Sequence, residues 1–160
     1  MIRRYRPQED HDALWRLKEQ FELELGTTTG GSEKETTYRS KLDEAYRERY
    51  LRWADECVSE EDCIVLVERA EEPVSYAFVL PERYAMIWDA AVLNELFVEK
   101  SHRGTDVVDD LMEAVLEIAE GQDLPLNRLV LDVDRRNDRA RAFYDRYGFD
   151  HWGEMIVRDL

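Results

Sequence analysis

Residues 94–112, NELFVEKSHRGTDVVDDLM, restrict the fold of this chain more than any other stretch. Residues 94–98 are apolar enough for a buried strand, and residues 99–104 form a polar turn carrying Lys100, His102, Arg103 and Gly104. From Thr105 onward, Val108, Leu111, Val115 and Ile118 recur at helical spacing. A strand that ends in a tight turn and feeds a helix aims the free N–H groups of the first helical turn at one place. The positive end of the helix dipole points there too. Such a place binds anions, and phosphates above all.

Around this unit, strand and helix patterns follow one another. Residues 2–5 read as a short strand closed by Pro7. Residues 8–25 read as an amphipathic helix through Leu14, Leu17, Phe21 and Leu25. The stretch GTTTGGS, residues 26–32, reads as a mobile loop. A long second helix is expected from about residue 33 to 57. Tyr46, Tyr50 and Trp53 share one of its faces, which suits core packing or a wall facing a substrate. The apolar runs 63–69 and 74–80 flank Glu71-Glu72-Pro73 and should form a hairpin. A strand over 91–98 and a helix over 105–120 follow, then a strand over 127–133. Asn137 caps a last helix to Tyr147, and residues 149–157 close the chain as a strand or hairpin. The order β-α-α-β-β-β-α-β-α-β makes an α/β fold with a mixed sheet and one βαβ crossover. With no repeat and no dividing linker, residues 1–160 are expected to form one domain.

Charge narrows the function. Asp and Glu outnumber Lys and Arg 37 to 22, a net charge of −15 spread over the whole chain. Phosphate contacts need a basic face, so no nucleic-acid partner is expected. A surface this acidic suits concentrated salt, where self-repulsion is screened, and the expected source is a halophile. An ordinary acidic protein with cationic partners is the other reading. No apolar run spans a bilayer, so no membrane association is expected. The arginines of residues 1–7 precede no apolar core, so the expected location is cytoplasmic. Cys57 and Cys63 read as reduced, partly buried thiols. His11, His102 and His151 stand alone, and no metal site is expected.

The segments LFVEKSHRGTDVVDDLM and LVLDVDRRNDRARAFYDRYGF together resemble the core of the GNAT superfamily of acyl-CoA N-acyltransferases. The resemblance spans residues 91–149. Its most specific part is Asn137, Tyr144 seven residues on, and then Gly148-Phe149. It implies a GNAT fold, with a twisted mixed sheet of about six to seven strands and four flanking helices. It also implies a bulge in the fourth strand, which splays from the fifth and leaves a gap for the pantetheine arm of acetyl-CoA, the cosubstrate.

On that resemblance, the backbone of Leu96, Phe97 and Val98 bonds the pantetheine like an added strand. The pyrophosphate lies over Arg103, Gly104, Thr105, Asp106, Val107, Val108 and Asp109, and Asn137 holds the cofactor at the start of the last helix. Tyr144 is the general acid that protonates the leaving thiolate. Glu95 is the first candidate for the base that takes the amine's proton, directly or through water, and Asp132 is the second. Transfer is direct, with no covalent enzyme intermediate. The acceptor is a primary amine on a small molecule or a peptide, and exposed strand edges near residue 150 would allow a homodimer.

The family's phosphate loop reads Gln or Arg, two residues, Gly, one residue, then Gly or Ala. Here Asp106 stands at the first of those small positions and Val108 at the second. A noncatalytic GNAT-fold binding or regulatory module with a degenerate CoA site is therefore the alternative.

Overall fold

The computed structural model describes residues 1–29 and 31–160, and side chains outside residues 27–32. Five strands form one sheet: β1 (Ile2–Arg4), β2 (Ile64–Arg69), β3 (Glu72–Val79), β4 (Ala91–Val98) and β5 (Leu129–Leu131). They lie in the order β1-β2-β3-β4-β5. The first four are antiparallel neighbours, and β5 runs parallel to β4. The connection from β4 to β5 carries a helix, as parallel neighbours require.

Helices cover both faces of the sheet. On one face, α1 (His11–Thr29) and α3 (Glu44–Glu60) bury Leu14, Leu17, Tyr50 and Leu51 against Leu66, Tyr76, Phe78 and Phe97. Between them, α2 (Gly31–Lys41) lies against α1. The short α4 (Ala85–Trp88) joins β3 to β4. On the other face, α5 (Val107–Glu120) buries Leu111, Met112 and Val115 against Val65, Val67, Ala77 and Leu93. The last helix, α6 (Asp138–Arg146), adds Phe143, Tyr144 and Tyr147 to that cluster. Because β2 is covered on both sides, its IVLV run is continuously apolar. Cys57 and Cys63 are free and buried, as expected.

The β2–β3 hairpin forms, but its turn is Ala70–Glu71, both with positive φ (51° and 66°). This two-residue geometry matches the twist of the paired strands, and Pro73 falls inside β3 beside a register shift. The expected long second helix divides at Leu42 and Asp43. Asp43 caps α3 by accepting a hydrogen bond from Tyr46 N at 2.8 Å. The GTTTGGS stretch is not a loop where it is described. Helix α1 continues to Thr29 and α2 starts at Gly31. A Cβ on Gly26 would come within 2.9 Å of Glu35 Cα, so glycine is there to let α1 and α2 approach. Gly30, and with it the expected mobility, lies outside the described residues.

Among the described residues, six helices and five strands replace the expected four and six to seven. The missing strand is at residues 149–157, which have no strand among the described residues. Trp152, Met155, Ile156 and Val157 are exposed there. Their spacing does not alternate, so they cannot line one face of a strand. No described helix is long and apolar enough to cross a membrane.

The feature that positions the site is a break in strand pairing. Phe78 pairs with Glu95 while Val79 pairs with Leu93, so Asn94 is an extra residue bulged out of β4. Beyond it β4 has no partner on its β5 side, since pairing with β5 spans only Ala91 to Leu93. The bulge expected of the fourth strand is present, and pairing with β5 ends beside it.

Candidate active site

Leu96, Phe97 and Val98 of β4 have no strand partner on the β5 side among the described residues. The Val98 carbonyl already accepts a hydrogen bond from Arg103 Nε at 2.9 Å. Past the strand, Lys100–His102 make a single 3-10 turn, and Gly104 takes φ +75°, which a side chain would strain. Thr105 Oγ1 donates to the His102 carbonyl at 2.6 Å and tightens the turn. Val107 is fully buried, and Val108 packs half-buried against the same core, so both serve the helix.

Asp106 occupies the N-cap position of α5, yet its carboxylate caps no N–H group. It pairs instead with Arg69, at the end of β2, at 3.1 Å, and Asp110 reaches the same guanidinium at 3.5 Å. Asp109 accepts a hydrogen bond from the Tyr147 hydroxyl. These carboxylates therefore have partners of their own; the Asp106 side chain caps none of the N–H groups of the first α5 turn, and Val107 N donates to Thr105 Oγ1 at 3.4 Å.

Arg103 stacks over the Phe97 ring at 5.6 Å and pairs with Glu24 of α1. Arg139 of α6 meets the other Glu24 oxygen at 3.1 Å. Together they line a cavity of about 470 Å³ with Lys100, Arg136, Asn137 and Asp138. Four cations face two carboxylates there, in a chain of net charge −15. Burial alone would raise the Glu24 carboxyl, but Arg103 and Arg139 hold it below the ordinary range. Lys100, Arg136, Arg139 and Glu24 were absent from the residues expected at the site. The RRNDR run at the start of α6 was the available signal for two of them.

Asn137 caps α6 as expected, its Oδ1 accepting from Ala140 N at 3.2 Å. It also lines the cavity. Tyr144 sits on α6 between the rings of Phe143 (5.2 Å) and Phe149 (5.5 Å). Its hydroxyl has no hydrogen-bond partner among the described residues, and burial pushes its pKa up to about 12. The phenol is thus protonated at neutral pH and free to donate. Gly148, at φ +81°, ends the helix and turns Phe149 back onto Tyr144.

Glu95, next to the bulge, is 3% exposed and points to the α1/α3 face. One oxygen accepts from the Tyr50 hydroxyl at 2.6 Å, and the other pairs with Lys18. Lys18, also buried, reaches Glu22 at 2.5 Å. Burial opposes the Lys18 charge, but Glu95 and Glu22 outweigh it and raise the ammonium pKa above its ordinary value. Tyr50 belongs to the core, as one of the two readings of the aromatic face of α3 had it, and its hydroxyl reaches Glu95 from there. Lys18 and Glu22 were not expected here, and nothing local marks them. Asp132 follows the last residue of β5, is exposed, and has no pairing partner among the described residues. The sheet separates Glu95, on the α1/α3 face, from Tyr144, which packs in the α5/α6 cluster.

The model of the acetyltransferase (GNAT) family matches residues 29–149, most of the chain. The chain belongs to this family. The match extends the resemblance of residues 91–149 upstream through α2 and α3. A peptidyl-lysine N-acetyltransferase of Salmonella typhimurium is 27% identical over 119 residues, covering 74% of this chain and 71% of that protein. Two solved structures share the fold. One is a PaiA N-acetyltransferase from Thermoplasma acidophilum in complex with coenzyme A. It has a TM-score of 0.71 and 17% identity, over 94% of this chain and 89% of that one. The other is a ribosomal-protein-alanine N-acetyltransferase from Brucella melitensis, with a TM-score of 0.69 and 19% identity, over 96% and 86%. As a GNAT protein the chain is an N-acetyltransferase with acetyl-CoA as cosubstrate, and the noncatalytic alternative is not favoured.

Proposed function

We propose that this GNAT enzyme acetylates a primary amine, on a peptide or a small molecule, inside the β4–β5 gap. What supports the reading is that β4 loses its β5 partner past Leu93, beside the bulge at Asn94, while four cations line a cavity between the β4–α5 turn and the start of α6. The pantetheine arm bonds the backbone of Leu96, Phe97 and Val98. The phosphates meet Arg103, Lys100, Arg136 and Arg139, with Asn137 at the helix start and the N–H groups of residues 104–109 above. The neutral amine attacks the thioester carbonyl, the N–C bond forms, the C–S bond breaks, and Tyr144 gives its proton to the thiolate. The amine's proton leaves to Glu95 through water, since Lys18 and Tyr50 already occupy that carboxylate. Asp132, facing solvent past β5, is the second candidate.

Release of free CoA across a panel of amines tests the activity. Tyr144→Phe should lower kcat by about 10²-fold, the lower range for a general acid, with acetyl-CoA binding kept. Loss of binding with the same substitution would give Tyr144 a structural role only. Glu95→Gln and Asp132→Asn separate the bases, because only replacement of the true base should lower kcat by about 10²-fold.

Three finer readings belong with this one. The net charge of −15 supports a halophilic source, and the location proposed with it is cytoplasmic. The open edge of β5 and the exposed Trp152, Met155, Ile156 and Val157 support a homodimer. Sedimentation of the full chain and of a chain ending at Phe149 tests the last. A dimer that survives the truncation would place the interface elsewhere.

A further inference from the structure

The chain has only four lysines, Lys18, Lys34, Lys41 and Lys100. The ammonium groups of the first three lie against the aromatic rings where α1, α2 and α3 meet. Lys18 sits 4.8 Å from the Tyr50 ring centre, Lys41 sits 4.9 Å from Tyr38 and 5.2 Å from Tyr46, and Lys34 sits 5.9 Å from Tyr38. The Tyr46 and Tyr50 rings are nearly parallel, 12° apart. Faces of this kind attract alkylammonium groups.

The carboxylate at this place is Glu22, which is 3% exposed. Its Oε1 bonds Lys18 and its Oε2 lies 2.9 Å from the Lys41 ammonium. That ammonium is the one partner Oε2 has among the described residues, and its approach falls outside good hydrogen-bond geometry. A buried carboxylate oxygen without a cation is costly, so whatever displaces Lys41 must itself be cationic. Lys41 is poorly tied to the role. It is the last residue of α2, it precedes the non-helical Leu42 and Asp43, and its side chain is 37% exposed. Lys18 links Glu22 directly to Glu95 at the β4 bulge, which puts the site beside the proposed reaction centre.

We propose that Glu22 Oε2, between the rings of Tyr38 and Tyr46, binds an ammonium group of the acceptor, and that Lys41 fills this site while the acceptor is absent. This rests on the amine-acetylating reading. An ammonium held on Glu22 is protonated and cannot attack a thioester, so it is a handle. The nucleophile is a second amine on the same molecule. The acceptor class is therefore an alkyl compound or peptide carrying at least two amines.

Isothermal titration with n-pentylamine and 1,5-diaminopentane tests the site, with CoA release as a separate readout. Lys41→Met removes the internal competitor but keeps an apolar stem between the rings. It should tighten binding of both probes at least tenfold and lower KM for the diamine. Adding Glu22→Gln should abolish the gain. If that variant fails to fold, Tyr38→Leu on α2 should reduce the gain instead. In the wild-type enzyme, kcat/KM for the diamine should exceed that for the monoamine at least tenfold. Unchanged affinity in Lys41→Met, or equal turnover of the two amines, overturns the proposal while leaving amine acetylation intact. Tighter probe binding without acetylation of any amine would leave the ammonium site standing and overturn the function it was tied to.

Discussion

Asp106 shows how one residue's meaning depends on where its side chain goes. In the sequence it replaces a small residue at a phosphate-facing turn, and two like charges ~4 Å apart repel by about 1 kcal/mol in water and about 4 near a protein surface. In the fold the carboxylate turns to Arg69, so most of that repulsion is avoided. Asp106→Asn should therefore change acetyl-CoA affinity less than about threefold at low salt, well short of the nearly thousandfold that 4 kcal/mol would imply. Calorimetric titration measures it, and a gain above tenfold would place the carboxylate against the phosphates. Glu24 has the opposite history. Nothing in its sequence context distinguishes it from the other acids of α1, yet it bridges Arg103 and Arg139 at the mouth of the cavity.

At the scale of elements, α6 is set by its ends. Asn137 supplies the only side-chain cap, and Gly148 supplies the reversal. Asn137→Ala should cost about 1 kcal/mol, a fall in Tm of about 2–4 °C for a chain of this size. Scanning calorimetry would read it. A much larger fall would mean that α6 holds Tyr144 and Phe143 on the core almost unaided. These ends were readable because capping and left-handed glycine are local chemistry. The break at Leu42–Asp43 was less so, because charged, helix-favouring residues lie on both sides. Only the cap at Tyr46 N reveals it. The expected closing strand failed for a related reason. Residues 152–157 are exposed in the fold, with no layer covering them, and burial is what makes an apolar run a strand.

Across the whole molecule, charge sets how stability responds to solvent. Burial alone would raise the carboxyls of Asp10, Glu22 and Glu24. Their cationic partners, Arg3 and Arg6, Lys18 and Lys41, and Arg103 and Arg139, outweigh it and hold all three below the ordinary range. A depressed carboxyl adds stability that is complete above its unfolded pKa, about 4. That stability is lost as pH falls through the folded value. Urea unfolding should give constant stability from pH 7 down to about 5, then a decline below about 4. A decline already complete at pH 5 would contradict the depressed values. Salt acts on the long-range repulsion of a −15 chain. Going from ~0.01 M to ~1 M shortens the screening length from about 30 Å to about 3 Å. Tm should rise over that range, because exposed ion pairs contribute only about 0–1 kcal/mol each. A falling Tm would mean the pairs outweigh the repulsion.

The sequence by itself determined what depends on near neighbours and on period. It marked the strand–turn–helix at residues 94–112, the β2–β3 hairpin, the Asn137 cap, and the spacing of Asn137, Tyr144 and Gly148-Phe149. Those features carried the α/β class, the family resemblance and the turn at which the phosphates were expected. Tertiary structure alone decided the pairings. Lys18 meets Glu95 from 77 residues away and Arg103 meets Glu24 from 79. Among 37 acidic residues every cation has many eligible partners. Coulomb attraction does not choose between them until α1, α2 and α3 dock on the sheet and bring particular carboxylates within reach.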